Sequence, residues 1–283
     1  MQIEPFKGLR FSRDIDIAKA ISPPYDIIDD EMEKQFLKYE YNIAHLMRGT
    51  AFCAEKNPYD VAAQRLKAWI KRGTLTKDKT HSFYIYRQTA ENTERNTLIA
   101  LADPDDFLSK ILPHEKLREK PLSDRMRLME ATRTSFGIVL LSVKDAEKRL
   151  SRIMAGVSGP VLSAELDSMR HELFMINGKD TIHRLREVLS DEKALILDGH
   201  HRSKSTVDFI RDSNLKAGVL VGIESREDNA TKLTLTNKEA FKTQRPLEEI
   251  WAMAEKGIPA PPKSTYFTPK LYSGLVMYQL GGE

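Results

Sequence analysis

The sequence predicts an α/β fold of the mixed, α+β kind, with one sheet carrying helices. Three observations lead there. Strand-sized apolar runs alternate with helical patterns along most of the chain. The 283 residues are 41% hydrophobic and 30% charged, the balance of a globular protein large enough to bury a sizeable core. No clear linker, internal repeat, heptad run or low-complexity tract divides it, so residues 1–283 read as a single α/β domain.

The elements follow in order. Residues 1–28 are punctuated by Pro5, Gly8, Pro23 and Pro24, and Pro23-Pro24-Tyr25-Asp26 must be an extended loop. Asp29-Asp30 caps a helix reaching about Tyr39, with acids in its first turn. Residues 42–47 read as a short strand. Pro58 opens a second helix that puts Val61, Leu66, Trp69 and Ile70 on one side and stops at Gly73. Residues 82–87 alternate as a strand, 97–102 form its partner, and Glu91-Asn92-Thr93-Glu94 turns between them. Pro121 begins another helix, with Met126, Leu128 and Met129 inside it. Residues 136–143 are a strong strand and 145–154 a helix. Residues 173–176 form a short strand, with a turn at Asn177-Gly178 and a helix over 181–189. The strand of Ala194-Leu195-Ile196-Leu197 then leads into a helix ending near Phe209-Ile210, and 217–223 is a further strand. The tail from Gly257 is rich in proline. Yet Tyr266, Phe267, Leu271, Leu275, Val276 and Met277 demand burial, so 257–283 is expected to pack back and close the core.

Composition excludes several classes. The 44 basic and 41 acidic residues leave a net charge of +3, too little to argue for nucleic acid. One cysteine, Cys53, rules out an internal disulfide and a zinc knuckle, and its apolar neighbours make it a packing residue. No basic segment followed by an apolar one marks a secretory signal, and no run nears the roughly 20 apolar residues that span a bilayer. The expectation is a cytoplasmic protein with no membrane partner. A homo-oligomer stays open.

The chemistry concentrates at Asp198-Gly199-His200-His201-Arg202. A buried strand stops at an acid and a glycine, and two imidazoles and a guanidinium follow on the first turn of a helix. A helix N-terminus favours anions, and arginine adds a rigid fork of donors suited to phosphate. The plainer reading is a turn with Asp198 as cap and solvated histidines. Adjacent residues on a helix face different ways, so only one histidine is expected at a ligand. A second constellation is Pro113-His114-Glu115-Lys116 with Asp124-Arg125 beyond it. His and Glu there suit a base and its orienter, or metal ligation, but alone they read as a polar loop. A third is Pro261-Pro262-Lys263-Ser264-Thr265-Tyr266-Phe267. Its Lys-Ser-Thr echoes a P-loop, but prolines replace the glycines, so no amide cradle forms and Lys263 acts at most as a point charge. His171-Glu172 and the His183-Arg184-Arg186 group read as surface. There is no nucleophile elbow and no dinucleotide loop.

Taken together, separated segments carry a resemblance. Ile3-Glu4-Pro5-Phe6-Lys7-Gly8-Leu9-Arg10, Ser22-Pro23-Pro24-Tyr25-Asp26, Tyr41-Asn42, Pro113-His114-Glu115, Asp124-Arg125, the Asp198 turn and Pro262-Lys263-Ser264-Thr265-Tyr266-Phe267 run in order along the chain. The set resembles the domain-of-unknown-function family numbered ten-fifteen over nearly the whole length. That family is similar in turn, through the Gly-His-His-Arg-type turn, to the ParB/sulfiredoxin superfamily, which includes kinases of free L-serine. The resemblance implies a ParB/sulfiredoxin-like core with helical additions and a nucleotide-phosphate site at Gly199, His200, His201 and Arg202. It also promotes His114, Glu115 and Lys263, the last with Ser264 and Thr265, to site residues. Two positions depart from the family pattern: Leu117 stands where a threonine is usual, and Ser203 where an aromatic often follows the turn.

The expectation is therefore a nucleotide-dependent kinase of a small hydroxyl substrate, most plausibly free L-serine, with ATP or ADP as donor and Mg²⁺. Arg125 and Lys263 would neutralise the migrating phosphoryl group. Glu115 or Asp198 would take the hydroxyl proton, and the other would help hold Mg²⁺. His114 or His200 would orient that acid. The rivals are a non-catalytic nucleotide sensor and a ParB-like, nucleic-acid-associated nucleotide hydrolase. The second is disfavoured by near-neutral charge and the lack of a helix-turn-helix. Sulfiredoxin-like repair ranks last, because Cys53 lies far from every motif.

Overall fold

The computed structural model describes residues 1–47, 57–91, 93–114, 119–228, 247–258 and 271–281. Its strands are β1 (Ile3–Glu4), β2 (Leu9–Phe11), β3 (Leu75–Lys77), β4 (Phe83–Ala90), β5 (Thr93–Ala102), β6 (Ile111–Leu112), β7 (Thr134–Ser135), β8 (Val139–Val143), β9 (Leu162–Leu166), β10 (Met169–Ile176), β11 (Ala194–Asp198), β12 (Val219–Ser225) and β13 (Tyr278–Gln279). Its helices are α1 (Ile17–Ala20), α2 (Asp30–Phe36), α3 (Ala44–Met47), α4 (Pro58–Lys71), α5 (Asp106–Ser109), α6 (Glu119–Thr132), α7 (Arg149–Ala155), α8 (Lys179–Leu189), α9 (His200–Asp212) and α10 (Leu247–Glu255). The mixed α/β class is as expected.

Nine strands form the main sheet in the order β6-β11-β8-β12-β5-β4-β10-β9, with β1 also pairing β5. The β6–β11 and β8–β12 pairs are parallel and the others antiparallel, so the sheet is mixed. Both faces are buried, which explains why the central strands read as near-continuous apolar runs. On β5, Ile99 and Leu101 enter one core, while Leu98, Ala100 and Ala102 enter the other. On β11, Leu195 and Leu197 join the first core, and Ala194 and Ile196 the second. The first core is completed by Leu66 and Trp69 of α4, Trp251 of α10, and Leu271, Leu275, Val276 and Met277 of the C-terminal segment. The second is covered by Leu150 and Met154 of α7, Leu185 and Leu189 of α8, and Val207, Phe209 and Ile210 of α9. The tail thus packs back in its described part, whereas Tyr266 and Phe267 lie outside the described residues.

Several elements correct the sequence reading. Residues 42–47 hold no strand. Asn42 instead caps the short helix α3, its Oδ1 accepting from the Ala44 N–H at 2.9 Å and its Nδ2 donating to the Lys19 carbonyl at 2.7 Å. The helix expected at Asp145 starts at Arg149, because the Asp145 carboxylate accepts from the Leu150 and Ser151 amides at 3.1 and 3.0 Å. The strand at 173–176 reaches back to Met169 and pairs with β9, through Asp167 and Ser168 at φ 51° and 59°. A hairpin turn with positive φ usually advertises itself by Gly or Asn, and this one carries neither. His171, expected at the surface, is fully buried on β10. Its Nε2 donates to the Leu166 carbonyl, and its Nδ1 accepts from the Tyr86 hydroxyl at 2.6 Å.

Candidate functional site

The site begins where β11 stops. A bulge lies between Ile196 and Asp198 in the pairing with β8, which breaks the alternation and re-aims the Asp198 carboxylate. Gly199 follows at φ +93°, a left-handed conformation that a side chain rarely adopts, and it is the residue before α9. A Cβ there would stand 3.3 Å from the Arg202 Cζ, Nε and Nη2. Gly137, just before β8, faces the same guanidinium, with a built Cβ 3.0 Å from Nη1. Two glycines therefore form the slot for Arg202. In it Nη2 donates to Asp198 Oδ2 at 2.7 Å and Nη1 to the Ile138 carbonyl at 2.6 Å. The two side chains keep 12% and 17% of their exposure, so the pair sits at a partly dry, accessible edge.

His200 turns inward and His201 is half-buried. The His200 Nε2 accepts the backbone N–H of His114 at 3.2 Å, which fixes the neutral tautomer with its proton on Nδ1. The two imidazoles meet edge to face, their centroids 4.4 Å apart. His114 and His200 are both buried. Burial lowers the His114 pKa to about 4, against a hydrogen bond with the Ile196 backbone and the Asp198 charge, which pull it up. Burial, then the His114 charge, lowers His200 to about 3. Since the unfolded chain protonates near pH 6.5, it binds more protons than the native state below that pH. The stability tied to these neutral imidazoles is whole above about pH 6.5 and drains as the pH falls through about 4 and 3, by at most ~1.4 kcal/mol per pH unit for each ring. Chemical unfolding at pH 7 and pH 5 should show the loss, with a smaller difference in His200→Gln than in wild type. An equal difference would deny His200 this role.

Arg125 approaches from α6. Its guanidinium lies 3.6 Å over the Tyr25 ring centroid and its Nη2 donates to Asp124 Oδ2. Asp124 Oδ1 accepts from the Tyr59 hydroxyl of α4 at 2.7 Å. Burial pushes the Asp124 carboxyl up, but hydrogen bonds from Arg125 and Tyr59, with the charges of Arg125 and Arg127, hold it below its ordinary value. The Arg125 Nε is buried and has no acceptor among the described residues.

Arg125 and Arg202 line one cavity of about 40 Å³, together with Tyr25, Gly137 and Ser273. Thus segments distant in sequence converge: the Pro24-Tyr25 loop, α6 with the strand entry at Gly137 that follows it, and Arg202 of the Asp198 turn, with Ser273 of the C-terminal segment lining the same cavity. Of the expected site residues, Asp198, Gly199, His200, His201, Arg202, His114 and Arg125 gather around this corner. Glu115, Lys263, Ser264 and Thr265 lie outside the described residues. Among the described residues no three His, Cys, Asp or Glu side chains gather as a metal site. Tyr59 and Gly137 escaped sequence reasoning. Tyr25 was visible only as part of the Pro-Pro-Tyr-Asp segment, a conspicuous loop with no chemistry of its own.

A family model described as "Protein of unknown function (DUF1015)" matches residues 3–235. Neither the curated proteins nor the solved structures compared with the chain give a match. No helix among the described residues is long and apolar enough to cross a membrane.

Proposed function

We propose, for a chain that belongs to the DUF1015 family, that it is a nucleotide-dependent kinase of a small hydroxyl compound, free L-serine. One observation carries the reading: Arg125 and Arg202, on different helices, line one cavity beside Asp198. Phosphoryl transfer asks a protein mainly for positioning and charge neutralisation, and two guanidiniums beside one carboxylate suit that task. In this reading the fold is a ParB/sulfiredoxin-like core with helical additions, acting in the cytoplasm.

In this reading the residues divide the work. The first turn of α9, at Gly199, His200, His201 and Arg202, holds the phosphates of ATP or ADP. Asp198 takes the proton of the acceptor hydroxyl as its oxygen bonds to the terminal phosphorus and the bond to the leaving nucleotide breaks. Arg202 and Arg125 neutralise the transferred group. His200, held neutral and anchored to the His114 backbone, keeps the turn rigid. Glu115, Lys263, Ser264 and Thr265 keep the site roles that the family resemblance implies. Mg²⁺ commonly takes one or two carboxylates and completes its shell with water and phosphate oxygens, and with Asp198 as the base, Glu115 would help hold it. When bound, the ion neutralises phosphate charge.

An assay of free L-serine with ATP or ADP and Mg²⁺, read as O-phosphoserine formed, tests the proposal. Product formation that saturates in both substrates is expected. Nucleotide binding without any product would leave a sensor in place of a kinase.

A further inference from the structure

We infer that the cavity between Arg125 and Arg202 is a subsite for one tetrahedral oxyanion, either free phosphate or the phosphoryl end of a monoester, with Tyr25 as platform and Tyr59 and Asp124 as positioning residues. The inference rests on the phosphotransferase reading for the origin of the anion, but the site itself stands on geometry. A cavity of about 40 Å³ holds a few water-sized oxygens, the room needed for one tetrahedral anion and far too little for a nucleoside. Two guanidiniums reach it. Arg202 is held by Asp198 and the Ile138 carbonyl, in a slot kept open by Gly137 and Gly199. Arg125 is held from below by the Tyr25 ring and from one end by Asp124.

The Arg125 Nε is the informative atom. It is fully buried with no acceptor among the described residues, although the Tyr25 ring and Asp124 hold the side chain. A buried donor left unmet costs about 1–3 kcal/mol, so native proteins retain few of them without a use. A guanidinium stacked on an aromatic ring offers its remaining donors edge-on and in one plane, the geometry that oxyanions accept. Tyr59 explains why Arg125 stays in place. Its hydroxyl occupies Asp124 Oδ1, so Oδ2 is the oxygen turned to Arg125. Tyr59 is not among the residues that line the cavity. Its role is therefore to position, through Asp124.

Titration of inorganic phosphate into the full chain, by calorimetry and ³¹P line width, tests the subsite, with O-phosphoserine and acetate as comparison probes. Phosphate should bind, and acetate at least ~10-fold more weakly, since a flat monoanion uses one guanidinium edge rather than two. Tighter binding of O-phosphoserine than of phosphate would identify the monoester as the occupant, and the reverse order would identify free phosphate. Arg125→Gln should weaken phosphate at least ~10-fold, and Arg125→Lys, which keeps the charge and loses the fork, should fall between. Tyr59→Phe should weaken it several-fold with an unchanged unfolding midpoint. Phosphate that does not bind at millimolar concentration, or that binds Arg125→Gln and wild type alike, overturns the subsite. An unchanged affinity in Tyr59→Phe removes the positioning role. If phosphate binding depends on Arg125 yet no serine is phosphorylated, the subsite stands and the kinase reading falls. If serine is phosphorylated and Arg125→Gln keeps wild-type kcat/KM, the kinase stands and the subsite falls.

Discussion

Arg202→Ala is expected to reduce phosphoryl transfer by about 10³-fold and to cost the fold about 3 kcal/mol. Both effects come from one guanidinium. It binds Asp198 Oδ2 at 2.7 Å and the Ile138 carbonyl at 2.6 Å, so truncation removes a donor from a carboxylate that is only 17% exposed and from a strand-entry carbonyl. It also removes half of the positive charge lining the cavity. Arg202→Lys separates the two losses. A lysine keeps the charge but cannot span Asp198 and Ile138 with a rigid fork, so turnover should recover in part while stability does not. Kinetics with serine and nucleotide, beside urea unfolding of the same variants, give both numbers. Turnover in Arg202→Ala within a factor of two of wild type would take Arg202 out of the chemistry.

Glu224→Leu should destabilise the protein by about 3–5 kcal/mol without touching the site. Glu224 on β12 and Arg95 on β5 face each other across neighbouring strands, with side-chain exposures of 3% and 0%. The Glu224 Oε1 accepts from Arg95 Nε at 2.8 Å and from the Thr97 hydroxyl at 2.6 Å, and Arg95 Nη1 donates to Gln88 Oε1 at 3.0 Å. Loss of the carboxylate leaves a guanidinium without its counter-charge in a place without water, which is costly. Replacement of both partners, Arg95→Met with Glu224→Leu, should recover most of the loss, because the desolvation of two charges is then avoided as well. A double variant no more stable than the single one would show that this pair carries the sheet by itself.

The Asp198 turn was legible because three local signals agree there: an apolar run, an acid with a glycine, and a helical pattern after them. The structure gives a strand of Ala194–Asp198 and a helix from His200, as that pattern implies. What surrounds the turn was less legible, because it depends on contacts distant in sequence. Tyr59 meets Asp124 across 65 residues, and nothing near either one signals the other. His114 and His200 meet across 86 residues, and alone His114 reads as a polar loop residue and His200 as a solvated one on a helix's first turn. His171 was misread for the same reason. Between the charged Arg170 and Glu172 a histidine reads as surface, and it becomes a core residue only when a hydroxyl partner is supplied, which Tyr86 does from a different strand. Asn42 was misread locally. Its side-chain amide bonds the backbone of two segments, which turns an apparent strand start into a helix cap. The bulge at Asp198 and the two-glycine slot for Arg202 carry no sequence signal beyond the glycines themselves.

In the proposed reading the Asp198 turn and Arg202 hold nucleotide phosphates. Calorimetric titration of ATP with Mg²⁺ into wild type and Arg202→Ala, at low and moderate salt, tests it most directly. Saturable binding by wild type, weakened at least ~10-fold by Arg202→Ala and moderately by salt, is the predicted result. Wild type that binds no nucleotide, or the same affinity in both proteins, would rule out a nucleotide-phosphate site at this turn.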